Sequence, residues 1–211
     1  MSLFCSAGLI VLLAGGMARG TLVTIGITGQ VTEDVGDPGN VLDGKIKKGD
    51  IFSGTYTYDS GAADSFPSDP TIGEYLFDTP PYGVSINMGG LTFASAPQRD
   101  NFQIEVIYDG VSMDRYQITS ANNLLLENGA IVSQIFWRLD YNNSSTFTSD
   151  ALPLTPPVVN ENVLTSNILR IDGAMHIRGK ILEAYPIPEV PEPASVILLA
   201  MGCLFAGLRR R

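Results

Sequence analysis

The stretch NILRIDGAMHIRGKIL, residues 167–182, decides the fold class because its apolar residues fall at alternate positions. One set is apolar and the other is charged: Leu169, Ile171, Met175, Ile177 and Ile181 alternate with Arg170, Asp172, His176, Arg178 and Lys180. A period of two is that of a β-strand with one face in the core and one in water. The pattern therefore predicts a strand from Asn167 to Leu182. Gly173 and Gly179 fall on its apolar face, which predicts a bulge or a closely crossing chain there.

Two neighbouring segments carry the same alternation. The segment from Ile131 to Tyr141 is predicted to line the core with these residues: Ile131, Ile135, Trp137, Leu139 and Tyr141. The segment from Phe102 to Ile118 predicts a hairpin, because Asp109-Gly110 between two alternating runs is a turn signal. Its alternation shifts at Asp114, which predicts a bulge there.

Strand signals continue along the whole central part of the chain. Further strands are predicted at Thr21–Thr32, Asp50–Tyr58, Tyr82–Phe93 and Leu124–Leu126. No segment of about ten residues or more keeps a helical apolar period. The sequence therefore predicts an all-β body over residues 21–189 with about eight to ten strands. Such a count favours a two-sheet antiparallel β-sandwich, jelly-roll-like or immunoglobulin-like, over a closed barrel.

The N-terminal 20 residues have the anatomy of a secretory signal peptide. An apolar centre, Leu9 to Leu13, is too short to span a bilayer and is followed by small residues. Ala18 and Gly20 allow cleavage before Thr21. The alternative is a buried N-terminal strand or helix.

The C-terminal segment, residues 190–211, has three ordered elements. Pro191-Glu192-Pro193 comes first, and an apolar run from Ala194 to Leu208 follows it. That run predicts a short apolar helix, below the roughly 20 residues that a permanent span needs. Arg209, Arg210 and Arg211 close the chain and are expected to stay on the cytoplasmic side.

These three elements resemble the PEP-CTERM sorting signal of Gram-negative bacteria. The resemblance implies export by the Sec machinery, transient anchoring in the inner membrane, and removal of the tail there by an exosortase. It implies that the body then reaches the cell surface or an exopolysaccharide matrix. The alternative for residues 190–211 is an ordinary tail anchor. Residues 54–59 are loosely similar to PEP-CTERM proteins of unassigned function, and that similarity transfers no site residue.

Charge argues against a nucleic-acid-binding function, and the positions of the cysteines argue against a disulfide in the body. The chain has a formal net charge of −9, and four of its arginines lie in the terminal segments, so the body is strongly acidic. Such a body repels nucleic acid, and no nucleic-acid partner is expected. Cys5 and Cys203 lie in the terminal segments, so the body has no disulfide.

The residues that usually carry catalysis are scarce. His176 is the single histidine and is predicted to face water, and no Gly-x-Ser-x-Gly elbow occurs. Zinc, iron or copper would need more His or Cys ligands than the body has. We therefore expect no enzyme activity and no required cofactor. A glycan-active enzyme that uses paired carboxylates is the third-ranked alternative.

Two groups of residues are candidates for binding. Asp59, Asp64 and Asp69 lie in one loop and are candidate calcium ligands, with a simply solvated loop as the alternative, because EF-hand ligands are two residues apart. The aromatic residues Trp137, Tyr56, Tyr58, Tyr75 and Tyr82 could stack on sugars, although core packing is favoured for Trp137.

The expected function is that of a non-catalytic structural or adhesive protein of the cell surface or extracellular matrix, associated with exopolysaccharide. A calcium-assisted, lectin-like carbohydrate-binding module is the first alternative.

Overall fold

The structure, a computed structural model, describes residues 20–78, 80–96, 102–108, 113–121, 123–142 and 146–188. The predicted signal peptide, apart from Gly20, and the sorting tail with its apolar helix lie outside these residues. Within them, no helix is long and apolar enough to cross a membrane. The described strands are β1 (Leu22–Val31), β2 (Ile51–Asp59), β3 (Ile72–Phe77), β4 (Gly83–Met88), β5 (Leu91–Ala94), β6 (Phe102–Ile107), β7 (Arg115–Ser120), β8 (Val132–Tyr141), β9 (Leu164–Gly173) and β10 (His176–Pro186).

The ten strands form one antiparallel sheet in the order β3-β6-β7-β8-β9-β10-β1-β2-β4-β5. The all-β class is thus confirmed, whereas the two-sheet sandwich is not confirmed. The physical reason is the pairing of the first strand with the last, from Ile25↔Pro186 to Val31↔Gly179. This pairing joins two groups of strands that a sandwich would have placed in separate sheets.

The sheet is strongly curled, so its inner face wraps around its own core. The Tyr56 ring of β2 lies 5.8 Å from Trp137 of β8 and 6.4 Å from Tyr116 of β7, although these strands are far apart in the sheet order. The edge strand β5 also approaches β7 across the curl: the hydroxyl of Ser95, just after β5, lies 2.8 Å from the hydroxyl of Ser120 at the end of β7. Aromatic side chains fill the space, because each removes a large apolar area from water.

The segment 167–182 is a hairpin and not one strand. Strands β9 and β10 pair from Asp172↔His176 to Leu169↔Gly179, with Gly173 to Met175 as the turn. Because the turn has an odd number of residues, the inward-facing positions stay two residues apart in the sequence numbering on both sides of it. Ile171 of β9 and Ile177 of β10 therefore both point inward. The alternation therefore runs through the turn unbroken, which is why the sequence pattern does not reveal it.

Strand β8 differs from its predicted pattern at one end. Ile131 was expected inside but is 61% exposed, while Val132 is buried. The pairing with β9 shifts register between Val132 and Gln134. This irregularity turns Val132 inward in place of Ile131.

Other predicted elements have different limits. The pairing of β6 with β7 keeps one register from Phe102↔Ser120 to Ile107↔Arg115, so the predicted bulge is absent from that ladder. Strand β7 begins after Asp114.

The predicted strand from Tyr82 to Phe93 is a hairpin of β4 and β5. Its turn is Gly89-Gly90, where both φ angles are positive, at 58° and 76°. Residues 124–126 form no strand, and the sequence pattern did not predict β3.

Glycines on the inner face make room for a crossing side chain, as predicted for Gly179. The Phe52 ring lies over Gly29 and Gly179, so that a Cβ atom on Gly29 would stand 2.1 Å from the ring and 2.5 Å from the Lys180 carbonyl. At Gly173 a Cβ atom would stand 2.2 Å from the Ile131 carbonyl. Both glycines named in the sequence pattern therefore mark close approaches.

Gly29→Ala tests this packing. Because the methyl group collides with both a ring and a backbone carbonyl, we expect the free energy of unfolding to fall by about 1–3 kcal/mol. Urea denaturation followed by fluorescence of the single tryptophan, Trp137, measures it. Gly36→Ala is the control, since its Cβ atom would meet nothing closer than 3.4 Å. Equal stability of both variants would contradict the packing.

Candidate functional site

The aromatic residues that could have formed a sugar platform belong to the core. Trp137, Tyr56 and Tyr58 are completely buried, and Tyr75 is 6% exposed. Tyr82 is half-buried, with its ring 5.4 Å from that of Phe77. The core interpretation of Trp137 is confirmed.

Three tyrosine hydroxyls fasten the proline-rich segment that connects β8 to β9. Residues 146–158 form this segment, which we call the cap segment. Tyr58 donates to the Pro153 carbonyl, Tyr75 to Asp150 at 3.1 Å, and Tyr141 to Val158 at 3.1 Å. Burial raises the pKa of Tyr58 and of Tyr141, so both hydroxyls keep their protons and donate.

The cap segment also holds a cavity of about 310 Å³, lined by its own uncharged residues. The buried carboxylate of Asp114 orders one side of it, because its Oδ2 accepts from the amides of Thr146 at 2.8 Å and Phe147 at 2.9 Å. The Phe147 ring packs edge-on against Tyr141, with centroids 5.6 Å apart. The cavity offers hydroxyl groups and apolar surface, but no charged side chain lines it.

The three predicted calcium ligands cap turns in the loop between β2 and β3. Asp59 Oδ1 accepts from the Gly61 amide at 2.8 Å, and Asp69 Oδ1 accepts from the amide and hydroxyl of Thr71. The bonds from Thr71 lower the pKa of Asp69. The described residues contain no group of three or more His, Cys, Asp or Glu side chains able to hold a metal ion. Calcium binding stays a prediction.

Asp64 has a further role at the sheet edge. Its Oδ1 accepts from the Glu74 amide at 2.9 Å, while the Ser65 amide donates to the Glu74 carbonyl at 2.7 Å. These contacts occupy the free backbone groups of β3 at Glu74. The loop thereby covers part of an edge that would otherwise be open to pairing with another chain.

His176 lies on the outer face of the sheet, as predicted. Its side chain is 59% exposed, and Nδ1 lies 3.0 Å from Asp172 Oδ1. Arg178 donates to the same oxygen at 2.6 Å. Burial alone would raise the pKa of Asp172, but the hydrogen bonds and charges of His176 and Arg178 outweigh it and lower that pKa.

Arginines gather on the outer face of β8, β9 and β10. We call Arg138, Arg170 and Arg178 the arginine face. The register places Phe136, Arg170 and Arg178 side by side across the three strands, and Arg138 two residues along β8 from Phe136. The sequence pattern showed each arginine as outward-facing, but it could not show that they are neighbours.

The three arginines differ in their partners. Arg178 is paired with Asp172, and Arg138 Nε lies 3.1 Å from Asp140 Oδ2, a carboxylate that Arg115 also binds at 2.6 Å. Among the described residues, Arg170 has no ion-pair partner, and its buried Nε, like that of Arg138, has no hydrogen-bond partner. Its guanidinium lies 4.3 Å above the Phe136 ring centroid. This cation–π contact fixes the group without neutralising its charge.

Two carboxylates face each other further along the outer face. Glu74 of β3 pairs directly with Glu105 of β6. Burial raises the pKa of Glu105, and the Glu74 charge raises it further, whereas Arg115 and Arg138 act in the opposite direction. The ionised form of Glu105 is therefore disfavoured in the folded protein.

Glu105→Gln should raise the melting temperature at pH 7. An acid whose folded pKa exceeds its unfolded value destabilises the fold once it ionises, so the gain should disappear below about pH 4, where both states are protonated. Thermal melts at the two pH values measure this. Glu127→Gln, in an exposed loop, removes the same charge as a control. An equal rise in both variants would attribute the effect to net charge and not to burial.

The comparison with curated proteins and the comparison with solved structures each found no match. The family comparison matched residues 189–211 to the PEP-CTERM protein-sorting motif. That segment contains Pro191-Glu192-Pro193, the apolar run and the three terminal arginines. The chain therefore carries a PEP-CTERM sorting motif at its C-terminal end, which implies recognition by an exosortase and export of the body.

Proposed function

We propose that the sorted body is a non-catalytic structural or adhesive protein of the cell surface or extracellular matrix, and that it associates with exopolysaccharide through the outer face of its sheet. The sorting motif supports the location. The observation that carries the binding proposal is the row of hydroxyl and amide side chains on the outer face of β1, β2, β4 and β5.

The register aligns these side chains across the strands. Thr28, Ser53, Asn87 and Thr92 form one row, and Thr24 pairs with Thr57 in another. Hydrogen bonds hold some of them in place: the Thr24 and Thr57 hydroxyls are 3.1 Å apart, and Thr92 donates to Asn87 at 2.8 Å. Neighbouring strands are about 4.8 Å apart, so the row offers regularly spaced donors and acceptors. A polysaccharide is a matching chain of hydroxyl-bearing rings.

An aromatic ring lies beside this row. Tyr185 of β10 pairs with Gly26 of β1, and a Cβ atom on Gly26 would stand 2.3 Å from the Tyr185 ring. The ring therefore lies against the sheet and is half-exposed. A fixed aromatic surface next to hydroxyl groups suits the apolar face of a sugar ring.

A second feature of the same face is a shallow groove of about 230 Å³. Thr55, Thr57 and Ser85 line it from the strands, and Pro80 to Tyr82 form a wall. No charged side chain lines this groove. It adds further hydroxyl groups to the proposed contact surface.

Tyr185→Ala should weaken co-sedimentation of the full-length protein with isolated host exopolysaccharide by about twofold to tenfold, since a specific contact of one aromatic ring is worth about 0.5–1.5 kcal/mol. Leu76→Ala is the control, because Leu76 is also exposed but lies on β3, at the other end of the strand order from the hydroxyl row. Unchanged binding of Tyr185→Ala, or no binding of the wild type, would contradict the proposal.

Glu192→Ala tests the sorting step in the native host. Because it alters the Pro-Glu-Pro element, we expect the protein to keep residues 190–211 and to stay in the membrane fraction, whereas the wild type loses them. Intact mass and cell fractionation give the answer. Glu183→Ala, outside the motif, is the control. A wild-type protein that retains its tail would be a plain anchored protein.

A further inference from the structure

We propose that the arginine face binds carboxylate groups of an acidic polysaccharide, so that the partner of this protein belongs to the polyuronate class. This inference rests on the proposed function and adds the chemical class of the glycan. It arises from the outer face of β8, β9 and β10, whereas the hydroxyl row lies on the strands beyond β10.

The three guanidinium groups are close enough to act together. Arg170 and Arg178 are directly opposite on neighbouring strands, and Arg138 is the diagonal neighbour of Arg170. With a strand spacing of about 4.8 Å and a rise of about 3.3 Å per residue, the three positions lie within about 12 Å. A polymer that carries regularly repeated carboxylates could contact more than one of them.

The charge of Arg170 is uncompensated, in contrast to that of its neighbours. Asp172 binds Arg178 at 2.6 Å, and Glu161 binds Lys180 at 2.5 Å. Within the described residues, no carboxylate pairs with Arg170, which also stands opposite a like charge. Like charges directly opposite each other destabilise a sheet. An anionic ligand is the group that would relieve this repulsion.

The local charge differs from that of the whole chain. Strands β8 to β10 present four cations on their outer face, namely Arg138, Arg170, Arg178 and Lys180. The acidic side chains that accompany them are Asp140, Asp172 and Glu183 on the strands, and Glu161, which binds Lys180. These charges balance, whereas the whole chain has a formal charge of −9. An anion is therefore repelled less at this face than at the rest of the surface.

The side-chain chemistry favours carboxylates. A guanidinium offers parallel donors that match the two oxygens of a carboxylate, and Arg170 is held in place by the Phe136 ring before any ligand arrives. Phosphates of a nucleic acid also fit a guanidinium, but nucleic-acid binding requires a broad basic surface, which a strongly acidic chain does not provide. A polyuronate needs only spaced carboxylates.

The test measures binding of the full-length chain, purified in a neutral detergent, to polygalacturonate and to uncharged dextran. EDTA is present, so that calcium cannot bridge protein and polymer. We expect polygalacturonate to bind more tightly than dextran and to be released by salt. Arg170→Gln should weaken polygalacturonate binding about tenfold, as expected for the loss of one charge-assisted hydrogen-bonding group.

Lys48→Gln is the matched control, because it removes the same charge from an exposed loop residue that is not part of the arginine face. An equal loss in Lys48→Gln and Arg170→Gln would overturn the site, since net charge would then explain the binding. Equal displacement of polygalacturonate by duplex DNA would overturn the polyuronate assignment. Thermal melts of both variants show whether each remains folded.

Three further outcomes distinguish failure of this inference from failure of the proposed function. Equal binding of dextran and polygalacturonate would overturn the acidic class but leave polysaccharide association intact. Absence of binding to both polymers, together with binding to isolated host exopolysaccharide that is unchanged in Arg170→Gln, would overturn the arginine face alone. Absence of binding to all three would overturn both proposals.

Discussion

The pairing of β1 with β10 is the constraint on which the rest of the structure depends. It joins the first strand of the body to the last, and it converts two groups of strands into one continuous curled sheet. The register at this seam places Tyr185 against Gly26 and lets Phe52 lie over Gly29 and Gly179. The same pairing makes the arginine face and the hydroxyl row two parts of one outer surface.

The two faces of the curled sheet have different roles: the inner face packs the core, and the outer face is available for binding. Large aromatic residues turn inward, where Tyr56, Tyr116 and Trp137 contact one another across the core. The outer face is left with hydroxyl groups, amides and charged side chains, and the cap segment lies against the tyrosine hydroxyls of the inner face. A ligand therefore meets side chains whose positions are fixed by the strands, and little of the core needs to move.

Local alternation predicted the all-β class and most of the inward-facing residues, because side-chain direction depends on the nearest neighbours in the chain. It missed the turn at Gly173 to Met175, since three turn residues preserve the parity of the pattern. Sheet order and the contact of Arg170 with Phe136 depend on pairing between distant segments. No local pattern contains that information, so the predicted sandwich is not confirmed and the arginine face was not predicted at all. The PEP-CTERM motif could be recognised from the sequence because its elements follow one another directly in the chain.

The single continuous sheet is the central claim, and nuclear Overhauser contacts across the β1–β10 seam test it most directly. In the full-length protein we expect cross-strand proton contacts between Gly26 and Tyr185 and between Ile27 and Ala184, with slowly exchanging amides along both strands. Absence of these contacts, with the pairings on either side preserved, would mean two separate sheets and would contradict the account.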